Sequence, residues 1–447
     1  MNPISQNEKM IQTSLILLLI GIFGYLFKFL FNMFLARHLG SVLYGDFSVA
    51  FRIFRVASVF MVFGTNSSAK RFFSKYIKTN QSTTASQYLI WNLRIILISS
   101  FAFLILLFLF TMIIFVLHIV HIHDIKKFHL AIYMLWIAPI GAISSLLTSY
   151  LLCNNNIYWS AFFKTIGKYM IGFFLLMPTI FFMGKTLNNN TLWLLILSIF
   201  IILVIAEWIL ILTKMSTLFK TSIEKLFQKS SVAIQEKKEW LSVSSHLILN
   251  QFIFLIIQAL GIVLLEIIDK REDVVGFYGA ALTISGVLWV TKQSVFQFVS
   301  PQISTFIDSR AGKNKLQSLV NKTQLFNLFI NLIITACIIF YTTPILQSFG
   351  PDFLQTKITL WILLGAGMIA TINTAAPKLL AYSGFEKYLI YSGVVEFLVM
   401  LIFGCIFIYI WSINGAALAT LLSLLIRLII TSVIVQKKLK LKSAIIF

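Results

Sequence analysis

Apolar residues fill this 447-residue chain in runs of about twenty or more, parted by short polar breaks. Windows such as 95–117 and 192–213 are nearly free of charge and match the ~20 residues that cross hydrocarbon as a helix. They are too long and too continuous for outer-membrane strands, which alternate apolar and polar positions over ~10 residues. The pattern predicts an all-α, polytopic membrane protein with about twelve transmembrane helices. The first six fall near 11–35, 43–66, 89–116, 129–152, 159–182 and 192–213. The second six fall near 241–268, 275–299, 323–346, 355–380, 387–410 and 413–434. Between the sets, 214–240 is the longest polar connection and is rich in Lys and Glu. The chain therefore reads as an N-terminal six-helix lobe (1–213), a cytoplasmic linker (214–240) and a C-terminal six-helix lobe (241–447). The linker is expected to be amphipathic or loosely ordered.

The breaks also repeat. Residues 35–55, LARHLGSVLYGDFSVAFRIFR, form a short polar hinge between two apolar segments, and its Tyr44-Gly45 recurs 234 positions later as Tyr278-Gly279. The polar runs that begin at Ser67 and Pro301 keep that offset. Two pseudo-symmetric lobes follow, as in many carriers built from internal repeats.

Charge sharpens this picture. Only 11% of residues are charged and mean hydropathy is +0.92, yet the net charge is +21. With the N-terminus inside, 21 of the 36 Lys and Arg residues fall in inner loops and tails, and seven in outer loops. This bias places both termini in the cytoplasm. It also accounts for the basic balance without nucleic acid. Cys153, Cys337 and Cys405 are scattered and form neither a CxxC pair nor a disulfide framework. The start MNPISQNEKM leads into a long apolar helix and reads as a retained first span. No GxxxxGK[ST], GxGxxG or HExxH motif occurs, and the short loops leave no room for a catalytic domain. Neither an enzyme nor a cofactor is expected, so transport would be driven by a gradient or by the substrate.

Charges inside spans are expensive, at least ~2.5–3.5 kcal/mol for a cation at the centre, so they need a partner or a wet cavity. The in-span cations are Lys28, Arg52, Arg55, Arg94, Lys164, Lys168, Lys292 and Arg427, against Glu207, Glu266 and Glu396. Internal pairing cannot neutralise them all. Arg52 and Arg55 share one helix face. Tyr25, Lys28 and Asn32 make a polar stripe on span 1, and Ser285, Trp289 and Lys292 another on span 8. By the 234 offset Trp289 takes the place of Arg55, and Lys292 that of Ser58. Lys28, Asn32, Arg52, Arg55, Trp289 and Lys292 are therefore the candidate substrate-binding residues. Arg offers a planar fork and Lys a mobile point charge, a combination suited to phosphate. Plainer readings stand beside this one. Arg52 can snorkel to outer headgroups, and Lys292 to inner ones. Arg94, Lys164 and Lys168 read foremost as lipid anchors or topology signals near the inner surface, with a role in substrate entry as the alternative. Glu396 and Glu207 are candidates for proton or ion coupling. His118, His121, His123 and His129, with Asp124, lack the fixed ligand spacing of a structural zinc site, and no metal is expected.

The hinge LARHLGSVLYGDFSVAF resembles the junction of spans 1 and 2 in Wzx-like polysaccharide flippases. These belong to the multidrug/oligosaccharidyl-lipid/polysaccharide exporter superfamily. FGPDF (349–353) is similar to their late outer-loop signature, and INGAALAT (413–420) to the Gly-Ala start of span 12. The resemblance implies two six-helix lobes around a cationic cavity. It also implies transfer of undecaprenyl-pyrophosphate-linked repeat units, for O-antigen or capsule, from the cytoplasmic to the periplasmic leaflet of the inner membrane. The lipid II flippase of the same superfamily uses arginines on its first two helices; the loose counterparts here are Lys28, Arg52 and Arg55, with Lys292 from the other lobe. Implied partners are the lipid-linked oligosaccharide and membrane lipids, with a polymerase or glycosyltransferases as further possibilities. Two other readings remain: a membrane scaffold that recruits assembly enzymes through 214–240 and 437–442, and a cation-coupled drug exporter. The exporters lean on acidic residues in the first lobe, where span 1 has none and span 2 only Asp46.

Overall fold

The computed structural model describes residues 3–119, 130–154, 156–183, 188–226, 234–292 and 310–443, and these contain helices and connections but no strand. Among the described residues ten stretches are long and apolar enough to cross a membrane, and two of them, Leu15–Val62 and Glu386–Leu439, are double length. Each of these two is bent inside. Helix α1 (Pro3–Val62) breaks at Gly40, with φ 74°, a left-handed conformation that glycine adopts without a Cβ penalty. Helix α16 (Glu386–Leu439) breaks at Ser412, with φ 51° and ψ −124°. Counting each as two spans gives the twelve expected.

By their contacts the helices gather into two compact units, Met1–Ser48 with Ile256–Phe447, and Val49–Leu255. The lobes expected at 1–213 and 241–447 follow the chain order, whereas this grouping sets the first span with the C-terminal helices and 241–255 with the N-terminal ones.

In the Val49–Leu255 unit, α2 (Thr65–Lys78) follows span 2 as a short amphipathic helix. It buries Ala69, Phe72 and Phe73 and exposes Lys70, Arg71 and Lys75. After α3 (Ser82–Ile119), α4 (Leu130–Cys153), α5 (Ile157–Phe162), α6 (Lys168–Met183) and α7 (Asn189–Lys214) come the described parts of the linker. They are helical and packed rather than loose: α8 (Ser216–Glu224), then the start of α9 (Ile234–Ile268). Phe219 of α8 is fully buried, with its ring 6.0 Å from Tyr150 and 5.7 Å from Trp208. Trp240 of α9 is also fully buried, donates to the Tyr76 hydroxyl at 3.0 Å, and lies 4.9 Å from the Tyr88 ring. Beside it the Ser68 hydroxyl lies 2.7 Å from both Tyr88 Oη and Ser244 Oγ. Each buried aromatic contributes ~1.5–3 kcal/mol, so the polar composition of the linker hides two strong anchors.

In the other unit, the part of α1 just past the Gly40 break (residues 41–48) crosses α10 (Val274–Ser285) at small residues. A Cβ on Gly45 would lie 2.8 Å from the Gly276 nitrogen, and one on Gly276 would overlap the Ser41 carbonyl oxygen. The two Tyr-Gly echoes thus meet: a Cβ on Gly279 would lie 2.7 Å from Ser48 Oγ and 3.6 Å from the Tyr44 ring. Beyond α10 come a helical piece at 287–292 (α11), α12 (Arg310–Phe340), α13 (Thr342–Phe349), α14 (Lys357–Ile372) and α15 (Ala375–Tyr382). The FGPDF motif forms the turn between α13 and α14. Gly350 takes φ 144°, Pro351 opens a 3-10 helix, and buried Phe353 sets its ring 5.4 Å from Phe277 and 6.2 Å from Tyr44. In INGAALAT, Ala416, Ala417 and Ala419 are fully buried just past the kink of α16.

Candidate functional site

Each unit carries its own cluster of cations within the spans. In the Val49–Leu255 unit the cluster starts on span 2, the second half of α1, where Arg52 is half-buried and Arg55 exposed. Between α5 and α6 the backbone widens into a π-helical turn, Phe163–Gly167, which carries Lys164 and leads directly into Lys168. Such turns insert a residue into a helix and often occur at functional sites. Lys164 lies within electrostatic reach of Arg55 and Lys70. Lys168 places its ammonium 6.0 Å from the Phe51 ring and 5.0 Å from the Tyr169 ring. Tyr169 in turn feels Arg52 and Arg55. Phe51 and Arg55 lie one turn apart, as do Lys168 and Lys164, so matched faces of spans 2 and 5 run past each other in opposite directions. The two lysines read from sequence as lipid anchors therefore join the arginines. Among the described residues no carboxylate forms an ion pair with Arg55, Lys164 or Lys70.

Glu207, on α7 of this unit, is fully buried. One carboxyl oxygen accepts from Ser144 Oγ at 2.9 Å, and the other is buried without a hydrogen-bond partner among the described residues. Arg94 donates from Nε to the Leu226 carbonyl at 2.7 Å and so ties α3 to the end of the first linker segment.

In the unit formed by Met1–Ser48 and Ile256–Phe447, span 8 is broken. Helix α10 stops at Ser285, and a turn at Gly286 precedes α11. Its carbonyls at the break are met by span 1: the Tyr25 hydroxyl lies 2.5 Å from the Thr283 oxygen and 2.9 Å from that of Ile284. The polar stripes predicted on spans 1 and 8 thus lie against each other. Asn32 is buried there, donating to the Lys28 carbonyl at 2.8 Å and accepting from Tyr44 at 3.2 Å. Tyr44 Oη also lies 3.3 Å from Thr283 Oγ1. The Asn32 amide is engaged in joining helices, while half-buried Lys28 holds its ammonium 5.9 Å from the Tyr25 ring.

On α11, Trp289 packs against Ala366, Ala370 and Leu424 and supports the Lys292 ammonium 4.0 Å from its ring centre. Lys292 lies within electrostatic reach of Arg427, Glu396 and Lys378. Glu396 is buried and forms an ion pair with Arg427 at 2.5 Å. The Arg427 Nε is buried with no hydrogen-bond partner among the described residues. Thr291, next to Lys292, donates to Asn331 at 2.6 Å. Arg427 and Lys378 complete a set that sequence reasoning limited to Lys292 and Trp289. A lone cation deep in span 12 was the available signal for Arg427. His121, His123, Asp124, His129 and the remainder of span 8 from 293 lie outside the described residues.

Each cluster therefore offers guanidinium and ammonium groups beside aromatic faces, in helices apolar enough to span a membrane. Such groups suit an anion.

Residues 10–307 match the model of a family described as polysaccharide biosynthesis protein. No curated protein matches the chain. Among solved structures the fold is similar to an inward-facing multidrug resistance transporter of the MATE family in the MOP superfamily. That match has 13% identity and TM-score 0.77 and covers 96% of this chain and 98% of that one. It is also similar to the lipid II flippase MurJ in an inward closed conformation, with 16% identity, TM-score 0.67 and coverage of 94% and 87%. A third likeness is a MOP superfamily transporter from Pyrococcus furiosus, described as having a binding pocket of reverse polarity, with 13% identity, TM-score 0.62 and coverage of 96% and 95%. At such identities these structures speak for the fold. The family match covers more than half of the chain, and this multi-pass membrane protein belongs to the polysaccharide biosynthesis protein family, with the fold of MOP superfamily transporters.

Proposed function

We propose that the chain is a flippase for an undecaprenyl-pyrophosphate-linked oligosaccharide, moving repeat units of a surface polymer such as O-antigen from the cytoplasmic to the periplasmic leaflet. The observation that carries this reading is the group Arg55, Lys164 and Lys70, three cations near one another with no carboxylate paired to them among the described residues. Like charges held together in a membrane protein raise its energy unless an anion or water joins them. The pyrophosphate of a polyprenyl-linked sugar is such an anion, and its tail can stay in lipid while the head passes through a wet recess. Charge-assisted bonds to the phosphates offset part of the head's desolvation. Alternating access then delivers the head without making or breaking a covalent bond.

In this scheme Arg52 and Arg55 are the phosphate-binding candidates of the Val49–Leu255 unit, and Lys28 and Lys292, the latter backed by Trp289, are those of the other unit taken by itself. Asn32 positions span 1. Glu207 is the candidate for proton coupling, as a buried carboxyl without a cationic partner among the described residues. The excess of Lys and Arg on one set of loops supports cytoplasmic termini in the inner membrane. The scaffold reading gains little from the linker, whose aromatic anchors Phe219 and Trp240 are buried inside their own unit.

The test is reconstitution. Proteoliposomes containing the chain are expected to accelerate the appearance of fluorescent polyprenyl-pyrophosphate oligosaccharide in the opposite leaflet, relative to protein-free vesicles. No acceleration across a panel of sugar heads would overturn the proposal.

A further inference from the structure

We infer that Lys70, Lys164 and Arg55 form an ordered phosphate-capture track that leads from the amphipathic helix α2 to the arginines of span 2, with Lys164 as its middle station. The inference rests on the flippase reading and adds to it the residues that first receive the pyrophosphate. Three observations on separate elements support it.

The first is the order of contacts. Along span 2 the ring of Phe51 meets Lys168, and Arg52 and Arg55 reach Tyr169. Arg55 and Lys70 both reach Lys164. Lys70 lies beyond the end of span 2 on α2, a helix with a basic exposed face of Lys70, Arg71 and Lys75 over buried Phe72 and Phe73. The cations therefore step from an interfacial helix to a residue well inside a span.

The second is the π-helical turn Phe163–Gly167. The turn carries Lys164 and leads into Lys168; the two are four residues apart and so keep nearly one face of the helix. That face runs along span 2, with Lys168 beside Phe51 and Lys164 near Arg55.

The third is availability. Lys70, Lys164 and Arg55 are all exposed, and none has an ion-pair partner among the described residues. Arg427 in the other unit differs, because Glu396 already neutralises it. Mobile ammonium groups followed by a guanidinium suit capture and then holding: Lys attracts a phosphate from many directions, and Arg fixes it in a planar fork. Two linked phosphates can bridge adjacent stations, so the head need not leave one cation before reaching the next.

The same chemistry would accept the phosphate of an anionic phospholipid, and the experiment separates the two sources. Full-length protein in zwitterionic nanodiscs is titrated with undecaprenyl pyrophosphate, and flipping kinetics are measured in vesicles of matching lipid. Lys164→Ala is expected to weaken binding and raise KM by about fivefold or more while kcat changes by less than about twofold, the pattern of a lost capture contact. Lys164→Arg is expected to restore both values to within about twofold. Wild-type KM and binding in Lys164→Ala, with Arg55→Ala still impaired, would overturn the track and leave the flippase standing. Equal loss in Lys164→Arg and Lys164→Ala would also overturn it, by making Lys164 a structural part of the turn. If phosphatidylglycerol displaces undecaprenyl pyrophosphate from wild type at equal concentration, the row belongs to lipid headgroups instead. Unimpaired flipping in Arg55→Ala together with Lys164→Ala would remove the cationic basis of the flippase reading itself.

Discussion

The guanidinium of Arg427 meets the carboxylate of Glu396 at 2.5 Å, across a separation of 31 residues and on either side of the kink at Ser412. The pair therefore ties span 11 to span 12 inside the membrane-spanning region. Removing one member of a buried pair leaves the other charged and uncompensated, at a cost of ~3–5 kcal/mol, whereas replacing both is far milder. Glu396→Gln and Arg427→Gln are each expected to lower the melting temperature in detergent strongly, and the double variant to recover most of the loss. If Glu396 serves as a lock, flipping per folded molecule survives in the double variant. A double variant that is stable but inactive would instead return Glu396 to the coupling role that its depth in span 11 first suggested.

Gly276 supplies a second, steric test. A methyl group there would overlap the Ser41 carbonyl, which is backbone and cannot swing aside as a side chain would. Gly276→Ala must push the segment of α1 just past Gly40 from α10, and overpacking of this kind costs ~1–3 kcal/mol. Weaker thermal stability is expected, with faster hydrogen exchange in the segments around Ser41 and Val275. Gly365→Ala is the control, since its added Cβ meets only Leu421 at an ordinary 3.6 Å. Similar melting of the two variants would show that the crossing is looser than the close approach indicates.

Asp269, in the short connection between α9 and α10, gives a pH-dependent signal. Partial burial pushes its carboxyl upward, but hydrogen bonds from the side chains of Arg271 and Ser412, and from the Arg271 backbone, outweigh this and hold it below the usual carboxylate range. Arg271 also donates to Ser412 at 2.8 Å, so the three residues clamp this connection to the kink of α16. A lowered folded value means stabilisation that is present above the unfolded value of about 3.9 and lost as pH falls through the folded one. Arg271 is 61% exposed, so solvent screening limits the contribution to no more than ~1 kcal/mol. Asp269→Asn is expected to melt slightly below wild type at neutral pH, with the two curves converging below about pH 4. A gap that persists in acid would locate the effect in the hydrogen-bond geometry rather than in the charge.

The spans were legible because hydrocarbon imposes a length and a polarity on every one of them. Even the bends at Gly40 and Ser412 fall within a few residues of the expected breaks. The polar stripes of spans 1 and 8 were legible as sequence: Tyr25 and Asn32 keep one face of an unbroken stretch of helix, while Ser285 and Lys292 fall on either side of the break at Gly286. Their mutual contact was not, because periodicity names a face and never its neighbour. The nearness of Lys164 to Arg55 and Lys70 was not legible either, because it depends on which helices pack together and not on spacing within span 5. In the linker, Phe219 and Trp240 stand singly among Lys and Glu, and no repeating pattern announces that each is buried. The pairing of Glu396 with Arg427 depends on how α16 folds back at its kink, a tertiary fact beyond the reach of spacing.

Arg55 carries the most direct test of the substrate's chemistry. It sits on span 2 one turn from Phe51, with Lys164 and Tyr169 within electrostatic reach, and it has no ion-pair partner among the described residues. A structural arginine paired to a carboxylate would leave that partner stranded on truncation and would lower stability. With no such partner described, Arg55→Ala is expected to fold and melt as wild type does, or slightly better through relief of the repulsion with Lys164. Loss of a charge-assisted bond to phosphate is worth ~1.5–3 kcal/mol, so flipping should fall on the order of tenfold to a hundredfold. Arg55→Lys keeps the charge without the planar fork and should recover part of the rate. The measurement is flipping in vesicles, normalised to detergent-resistant, monodisperse protein, with melting curves on the same samples. Full normalised activity in Arg55→Ala would take this residue out of the transport path. Lost stability with normal activity would identify it as a structural cation instead.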